Sequence, residues 1–414
     1  MKRLAAALAC VLAGPAAYAQ SSSVTLYGLV DTGVRMDRTT VGSNWSVGGG
    51  MGSGSRWGLR GAEDLGGGLR AIFTLESGFG ADTGASGQGG LLFGRQAFVG
   101  LSGGFGTLTM GRQYSPMFVA TLAMDTLEYG TIGNINNIYT RVVLRNNNAV
   151  NYVSPKIAGF EGRVLYAPGE ASTPGAPKSA GNQLGASLSF ATGGLLLNYA
   201  YHEIKGTNSP TATPPVVSDT PKEKQNQLGA AYNFGLAKLS TSYATFKNDA
   251  ATSRVDFRNW WVALDGKITS SSTWMATYGK IDDRSGADRD ANLMALCLMY
   301  HLSRRTDLHA AVARMSNNAN SQYLITLTRP TPGCKRSPTC LWATTRPRSR
   351  SGSGIGSERG ELPAPGLPQV RAGTCGGAIH RRLFEADARN TDVRHACWSA
   401  SCAIDVPPAT PSRL

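Results

Sequence analysis

The chain has 414 residues, and its 51 glycines and low charged fraction of 16% favour strands and tight turns over a helical protein. The formal net charge of +14 would ordinarily point to nucleic acid or an anionic membrane surface. Residues 20–323 contain 26 Lys and Arg against 21 Asp and Glu, whereas residues 324–414 contain 13 against 6. The main body is therefore only mildly basic, and we expect no nucleic-acid partner.

The first 19 residues have the pattern of a secretory signal peptide. Lys2 and Arg3 form a positive start, residues 4–13 are apolar, and Ala17-Tyr18-Ala19 matches an A-x-A cleavage site. We predict cleavage before Gln20. Beyond that point no segment reaches the 18 uninterrupted apolar residues of a membrane-spanning helix.

From Val24 onward, segments of about ten residues alternate between apolar and polar side chains, which indicates strands with one apolar face. Tight glycine turns alternate with longer polar connections, as in an up-and-down barrel with two different rims. Because the second face stays polar in strand after strand, we predict an all-β, transmembrane, antiparallel barrel with a polar interior. About fifteen strands are recognisable by residue 317, and such barrels normally have an even number, so one strand should follow.

Several long motifs resemble the general porins of proteobacteria, in particular their anion-preferring branch. They are SSSVTLYGLVDTGV (21–34), SRWGLRGAEDLGGGLRAIFTLESGF (55–79), GRQAFVGLSGGFGTLTMGRQY (94–114), RNNNAVNYVSPKIAGF (145–160) and YHLSRRTDLHAAVARMSNN (300–318). The resemblance covers residues 20–323 and implies a 16-stranded barrel that assembles as a homotrimer. It also implies that the long connection 115–148 folds into the lumen as the pore-constricting loop.

The resemblance further implies a constriction in which arginines of the barrel wall oppose carboxylates. Opposed fixed charges across a narrow aqueous lumen create a transverse field, and an excess of arginine favours entry of anions. The matching basic residues are Arg56, Arg95 and Arg145, with Arg112 as a weaker fourth, and the acidic residues are Glu76 on the wall and Asp125 and Glu128 in the loop.

The function that follows is passive diffusion of small hydrophilic solutes and ions, with a modest anion preference, through the bacterial outer membrane. The expected partners are outer-membrane lipid and lipopolysaccharide, the barrel assembly machinery, and the permeating solutes and anions. We expect no enzymatic activity, catalytic residue, metal or cofactor.

A barrel enzyme, such as a lipase or protease, is the first alternative. Residues 100–104 match the G-x-S-x-G motif around Ser102, but a second strand follows instead of the helix that this motif requires. His202 on a polar face is interpreted as a solvated histidine of the lumen. Tyr27, Tyr201, Trp260 and Trp261 are interpreted as aromatic residues at the membrane interface.

The second alternative is a defective product whose barrel does not close. From about Leu324 the alternation stops, and residues 324–414 are rich in Pro, Arg and Cys. Pro-containing pairs would break a strand, the last residue is Leu414, and the family's final strand usually ends in Phe. We therefore expect a disordered tail outside the family, one strand short of closure. If a frameshift caused this, another reading frame beyond codon 323 should encode a strand ending in Phe.

Overall fold

The structure is a computed structural model that describes residues 23–39, 42–171, 174–209, 216–251 and 254–325, and the backbone of 391–405. The chain divides into two compact units, Met1–Arg329 with Thr391–Leu414, and Pro330–Asn390. The second unit and the predicted signal peptide lie outside the described residues. No helix in the described part is both long enough and apolar enough to cross a membrane.

Seventeen strands make up most of the described residues of the first unit, and all their pairings are antiparallel. A nine-residue helix, α1, and a single 3₁₀ turn lie in the long connection between β6 and β7. The strands are β1 Ser23–Thr39, β2 Gly42–Gly49, β3 Arg56–Gly66, β4 Leu69–Gly78, β5 Gln96–Gly103, β6 Gly106–Tyr114, β7 Arg145–Val153, β8 Phe160–Ala167, β9 Gln183–Thr192, β10 Leu195–Ser209, β11 Val216–Asn233, β12 Ala237–Asn248, β13 Asp256–Thr269, β14 Ser272–Asp283, β15 Ala291–His301, β16 Thr306–Asn317 and β17 Thr391–Asp405; α1 is Pro116–Met124 and the 3₁₀ turn is Ile135–Asn137.

The seventeen strands form a closed ring with sixteen strand positions, because β2 and β3 together occupy one position. Both pair with the same edge of β1, β2 with residues 32–39 and β3 with residues 23–29. From β3 to β16 each strand pairs with the next, and β17 pairs with β16 on one side and β1 on the other. This confirms the predicted up-and-down barrel, in which β17 closes the ring of described strands by pairing with both β16 and β1.

The closing strand corrects an expectation. The sequence analysis finds no strand after residue 323, yet Thr391–Asp405 pairs along its length with β16 and β1, for example Ala400 with Leu308 and with Thr32. Its apolar residues do alternate in the sequence, at 396, 398, 400, 402 and 404. The pattern is hard to see because small Ala, Cys and Ser residues dominate it, and because some 70 residues separate it from β16.

Alternation along the strands separates an outer face, which is rich in exposed apolar side chains, from an inner face. In β13, Trp260 and Val262 are exposed at 51% and 40%, whereas Trp261 between them is completely buried. The interface prediction is therefore correct in placing Trp260 outside but wrong for Trp261, which points inward. The interface prediction is also wrong for Tyr27, which points inward: its hydroxyl donates to Oε2 of the buried Glu76 (3.0 Å).

The break between β2 and β3 is organised by Asp31 of β1. Its Oδ2 accepts the backbone amides of Gly52 (3.0 Å) and Ser53 (3.2 Å), and its Oδ1 accepts that of Met51. The backbone of Asp31 also exchanges two hydrogen bonds with Ser55 Oγ (2.9 and 3.0 Å). These bonds fix the segment immediately before Arg56, one of the predicted site residues.

Candidate functional site

The long connection after β6 begins with helix α1, for which the local sequence has clear signals. Ser115 is the N-cap, its Oγ accepts the amide of Phe118 (2.9 Å), and Pro116 occupies the first turn, where its missing N–H costs nothing. The helix is apolar on nearly all sides, which is typical of a buried helix. It ends at Asp125, so the connection turns there.

Residues 115–144 pack against the inner wall of β10–β16 as a hydrophobic core. Ten apolar side chains of the connection are at most 6% exposed, and the facing wall is apolar at many inward positions. The connection contributes Met117, Phe118, Ala120, Met124, Leu127, Ile132, Ile135, Ile138, Tyr139 and Val142, and the wall contributes Ala200, Ala244, Phe246, Trp261, Ala263, Met275, Ile281, Leu293, Cys297, Ala311, Ala313 and Met315. The apolar side chains of this connection are thus buried against the inner wall, and β7 begins at Arg145, within the segment 115–148 whose pore-constricting role stays a prediction.

Inward polar side chains of the wall satisfy backbone carbonyls of the same connection. Each donates one hydrogen bond across a large separation in sequence, so the connection is held at several points along its length. The pairs are Asn198 Nδ2 to Ala120 O (2.9 Å), Trp261 Nε1 to Met124 O (3.2 Å), Thr277 Oγ1 to Gly133 O (3.0 Å), Asn259 Nδ2 to Ile138 O (2.7 Å) and Gln225 Nε2 to Arg141 O (2.8 Å).

The opposite wall carries a cluster of charged residues centred on Tyr114. Arg95 Nε donates to Glu76 Oε1 (2.7 Å), and the two side chains are 12% and 7% exposed. Arg95 and Arg145 each donate an Nη2 hydrogen bond to the Tyr114 hydroxyl, at 3.1 and 3.2 Å. The Arg145 guanidinium also lies over the Tyr114 ring, 4.7 Å from its centroid.

Arg56 completes this group, which we call the arginine cluster: Arg56, Arg95, Arg145, Glu76 and Tyr114. Arg56 donates from Nη2 to Ser53 Oγ (3.2 Å) and lies close enough to Arg95 and Glu76 to interact with both charges. Three guanidinium groups and one carboxylate give the cluster two net positive charges. The ring of Tyr114 contacts Phe118 of α1 (centroids 4.7 Å apart), so the cluster borders the long connection after β6.

Arg112, the weaker fourth candidate, lies elsewhere. It is in register with Ala97 of β5, beside an irregularity of β6 between Gly111 and Gln113, and it lies close enough to Arg145 for the two positive charges to interact. Its Nε donates to the carbonyl of Gly94 (2.8 Å), and its Nη1 donates to Asn147 Oδ1. It therefore joins neighbouring strands near the loop rim and does not contact the arginine cluster directly.

The two acids of the connection have different positions. Asp125 is 3% exposed, and its carboxylate accepts the amides of Leu127 (3.1 Å), Tyr129 (2.9 Å) and Ile135 (3.3 Å), so it organises the connection from inside. Burial raises the pKa of Asp125 to about 6, and these amide hydrogen bonds oppose the shift. Glu128 is exposed at a turn with φ of +49°. Only Glu128 of the two presents its carboxylate to water.

Neither catalytic signal of the sequence is matched by a catalytic arrangement. Ser102 lies in the β5–β6 hairpin, where its Oγ is 2.9 Å from Thr107 Oγ1. His202 is completely buried and its Nε2 is 3.0 Å from Gln183 Oε1, so the interpretation as a solvated histidine is wrong. Within the described ranges, no group of three or more His, Cys, Asp or Glu side chains could hold a metal ion.

Sequence reasoning misses Tyr114 and misassigns Tyr27, the two tyrosines that hold the cluster together. The only sequence signal for Tyr114 is its position at the end of GRQY, directly before the long connection. Its hydroxyl contacts residues 19 and 31 positions away, and alternation along one strand contains no information about such distant partners.

Comparisons with known proteins agree with this geometry. A family of Gram-negative porins matches residues 5–320. An outer membrane porin protein of Bordetella pertussis is 31% identical over 355 residues, covering 73% of this chain and 91% of that protein. Outer membrane porin protein 32 of Delftia acidovorans is 33% identical over 340 residues, covering 77% of this chain and 90% of that protein.

Solved structures show the same architecture. The anion-selective porin from Comamonas acidovorans superposes with a TM-score of 0.68 at 25% identity, covering 93% of this chain and all of that one. OmpT of Vibrio cholerae, solved in a trimer form, superposes with a TM-score of 0.58 at 14% identity, which supports the fold alone.

Proposed function

Because the chain belongs to the Gram-negative porin family, we propose that it forms a water-filled channel for passive diffusion of small hydrophilic solutes and ions, with a modest preference for anions. As an outer membrane porin it is located in the bacterial outer membrane. Its relatives are named as porins, which are channels and not enzymes.

The arginine cluster is the observation that supports the anion preference. Fixed charges that line a narrow passage with low-dielectric walls act on permeating ions more strongly than the same charges on an open surface. Arginine remains charged at every working pH, so the net positive charge of the cluster is permanent. One solved relative, the porin from Comamonas acidovorans, is described as anion-selective, which agrees with this proposal.

The proposed assembly is a homotrimer embedded in outer-membrane lipid and lipopolysaccharide after insertion by the barrel assembly machinery. OmpT of Vibrio cholerae, which shares the fold, has been solved in a trimer form. The permeating partners are small hydrophilic solutes and anions, and the proposal includes no cofactor.

A planar bilayer experiment tests the channel and its selectivity. Detergent-folded protein is incorporated, and the reversal potential is measured across a KCl gradient. We expect stable conductance steps and a reversal potential of anion sign, because the cluster repels cations. Arg145→Gln should lower the ratio of anion to cation permeability, and Arg258→Gln, the same charge change at an exposed position on the outer face of β13 that carries Trp260, is the matched control.

Two results would contradict the proposal. Cation preference in the conducting wild-type protein would eliminate the role assigned to the arginine cluster. Absence of conductance from a folded, membrane-inserted protein would eliminate the channel. Loss of lipid or peptide hydrolysis in His202→Ala would instead support the enzyme alternative, for which the buried His202 offers no reacting geometry.

A further inference from the structure

Six residues between β2 and β3 leave the sheet and turn into the barrel. β2 ends at Gly49 and β3 begins at Arg56, and we call residues 50–55 between them the inner turn. Met51 of this turn is 1% exposed and belongs to the same hydrophobic core as the long connection after β6. Since that core lies against the inner wall, the inner turn projects toward the lumen.

The inner turn approaches three other elements on this inner side. A side chain at Gly52 would overlap the His309 ring of β16, and a side chain at Gly130 of the long connection would overlap the carbonyl oxygen of Gly52. A Cβ atom on Gly54 would lie 3.3 Å from Nη1 of Arg95. The turn therefore extends from β16 and the long connection to the arginine cluster, and it does so with backbone, where glycine permits close approach.

One carboxylate holds the inner turn in this position. Asp31 of β1 is completely buried, and its two oxygens accept the amides of three successive turn residues, Met51, Gly52 and Ser53. Successive backbone N–H groups in a turn form a concave site for an anion. Hydrogen bonds to an ionised group are stronger than those between neutral groups. The charge of Asp31 thus fixes three consecutive residues at once.

Two serines join the inner turn to the arginine cluster and to the wall. Ser53 Oγ accepts a hydrogen bond from Arg56 Nη2 (3.2 Å), and the Ser53 amide donates to Asp31 Oδ2 (3.2 Å). Ser55 Oγ bonds to the backbone of Asp31 (2.9 and 3.0 Å), and the Ser55 carbonyl accepts the amide of Phe79 (3.1 Å). A displacement of the turn would therefore also move the guanidinium group of Arg56.

We propose that the inner turn narrows the lumen beside the arginine cluster, and that Asp31, as a positioning residue, thereby limits the size of the solutes that pass. This inference rests on the proposed function as a diffusion channel. The turn places backbone where a continuous strand would leave the lumen open. Its effect is steric, so it acts on uncharged solutes, which the charges of the arginine cluster do not select.

The test compares two uncharged sugars of different size, arabinose and raffinose, by the swelling rate of liposomes that contain the folded protein. Without the Asp31 carboxylate the turn loses its common acceptor, and the lumen beside it widens. We expect Asp31→Ala to raise the ratio of raffinose to arabinose rates roughly twofold or more, because passage through a narrow pore depends on its diameter. Asp31→Asn keeps an acceptor oxygen for the turn amides and should restore much of the wild-type ratio.

The matched control is Asp64→Ala. This change also removes one carboxylate, but Asp64 is exposed and its Oδ1 accepts the amide of Gly66 in the β3–β4 turn, away from the inner turn. The ratio of sugar rates should stay at the wild-type value. Unfolding midpoints of all variants separate a loss of stability, which a purely structural role of Asp31 would also cause, from a change in the size of the solutes admitted.

A second variant narrows the lumen instead of widening it. Ser53→Cys places a thiol on the partly exposed inner turn, and a bulky methanethiosulfonate label there should lower the raffinose rate more than the arabinose rate. Ser43→Cys, at an exposed position of β2, is the control, and the wild type treated with the same reagent corrects for the native cysteines. This variant leaves Asp31 intact, so it decides the matter if Asp31→Ala does not fold.

An unchanged ratio of sugar rates in folded Asp31→Ala would overturn the inference, as would an equal change in Asp64→Ala. A label on Ser53→Cys that slows neither sugar would overturn it as well. In all three cases the wild type still admits sugar. A wild-type protein that admits neither sugar would instead overturn the proposed channel function together with this inference.

Discussion

At the scale of single residues, one tyrosine hydroxyl positions two guanidinium groups of the cluster, and one carboxylate positions one of them. Tyr114 accepts from Arg95 and Arg145 and supports the Arg145 guanidinium with its ring. Glu76 accepts from Arg95 and Tyr27. One carboxylate thus fixes part of the cluster without cancelling its positive charge, which is the balance that modest anion preference requires.

Tyr114→Phe tests this positioning while keeping the ring. Without the hydroxyl, Arg95 and Arg145 lose their shared acceptor and adopt several orientations. We expect the ratio of anion to cation permeability to fall roughly two- to fivefold, equivalent to about 0.4–1 kcal/mol. The reversal potential measures this ratio, and unchanged selectivity would show that the hydroxyl does not position the arginines. Tyr166→Phe, which removes an exposed hydroxyl from the outer surface, is the control.

Asp125 gives a pH-dependent prediction. Because burial raises the pKa of Asp125 to about 6, above the value of about 3.9 in an unfolded chain, the folded state favours the protonated acid. Its contribution to stability is therefore complete below about pH 4 and is lost as the pH rises through 6.

The comparison variant is Asp125→Asn, which cannot titrate. Relative to this variant, the wild type should gain about 1 kcal/mol of stability between pH 7 and pH 5. Thermal unfolding midpoints at both pH values measure the gain. A difference between the two proteins that stays constant with pH would contradict the assignment.

At the scale of elements, the long connection after β6 is held against the inner wall by a hydrophobic core. Trp261 shows this most directly, since its completely buried ring belongs to the inner core and its Nε1 bonds to Met124 O in α1. Many inward positions of β10–β16 are apolar and not polar. Residues 115–144 can therefore bury their own apolar side chains against this part of the wall.

Trp261→Ala should therefore destabilise the folded barrel by about 3–5 kcal/mol, because it leaves a large cavity between the connection and the wall. Trp260→Ala is the matched control, since that ring is half exposed on the outer surface. Urea unfolding in detergent compares the two variants. Equal losses of stability would show that the inner core does not hold the connection.

At the scale of the whole molecule, closure of the barrel depends on a strand far from the rest of the barrel in sequence. β17 supplies hydrogen bonds to both β16 and β1, and without it each of those strands would have an unpaired edge in the membrane. The closed ring opposes the hypothesis of a barrel that cannot close. The frameshift remains a prediction that the gene sequence can test.

Ala400→Pro tests closure, because residue 400 pairs with both neighbours and proline removes its backbone donor. We expect loss of the folded form, seen as loss of the heat-dependent shift in gel mobility. Ala400→Thr keeps the N–H group and should fold. A folded Ala400→Pro variant would show that the chain closes without β17.

The pore-constricting role of residues 115–148 and the site roles of the arginines and carboxylates stay predictions. By itself the sequence determined the barrel and its two unequal rims. These features depend on the local sequence, that is, on alternation of apolar and polar residues at every second position, on glycine turns and on short motifs. Only the tertiary structure decided the roles of Tyr114 and Asp125, the hydrogen bonds of Arg112 to Gly94 and Asn147, the inner core around Trp261 and the identity of the closing strand. Each of these depends on contacts between residues far apart in the chain, and alternation along one strand cannot specify which distant residues meet across a closed barrel.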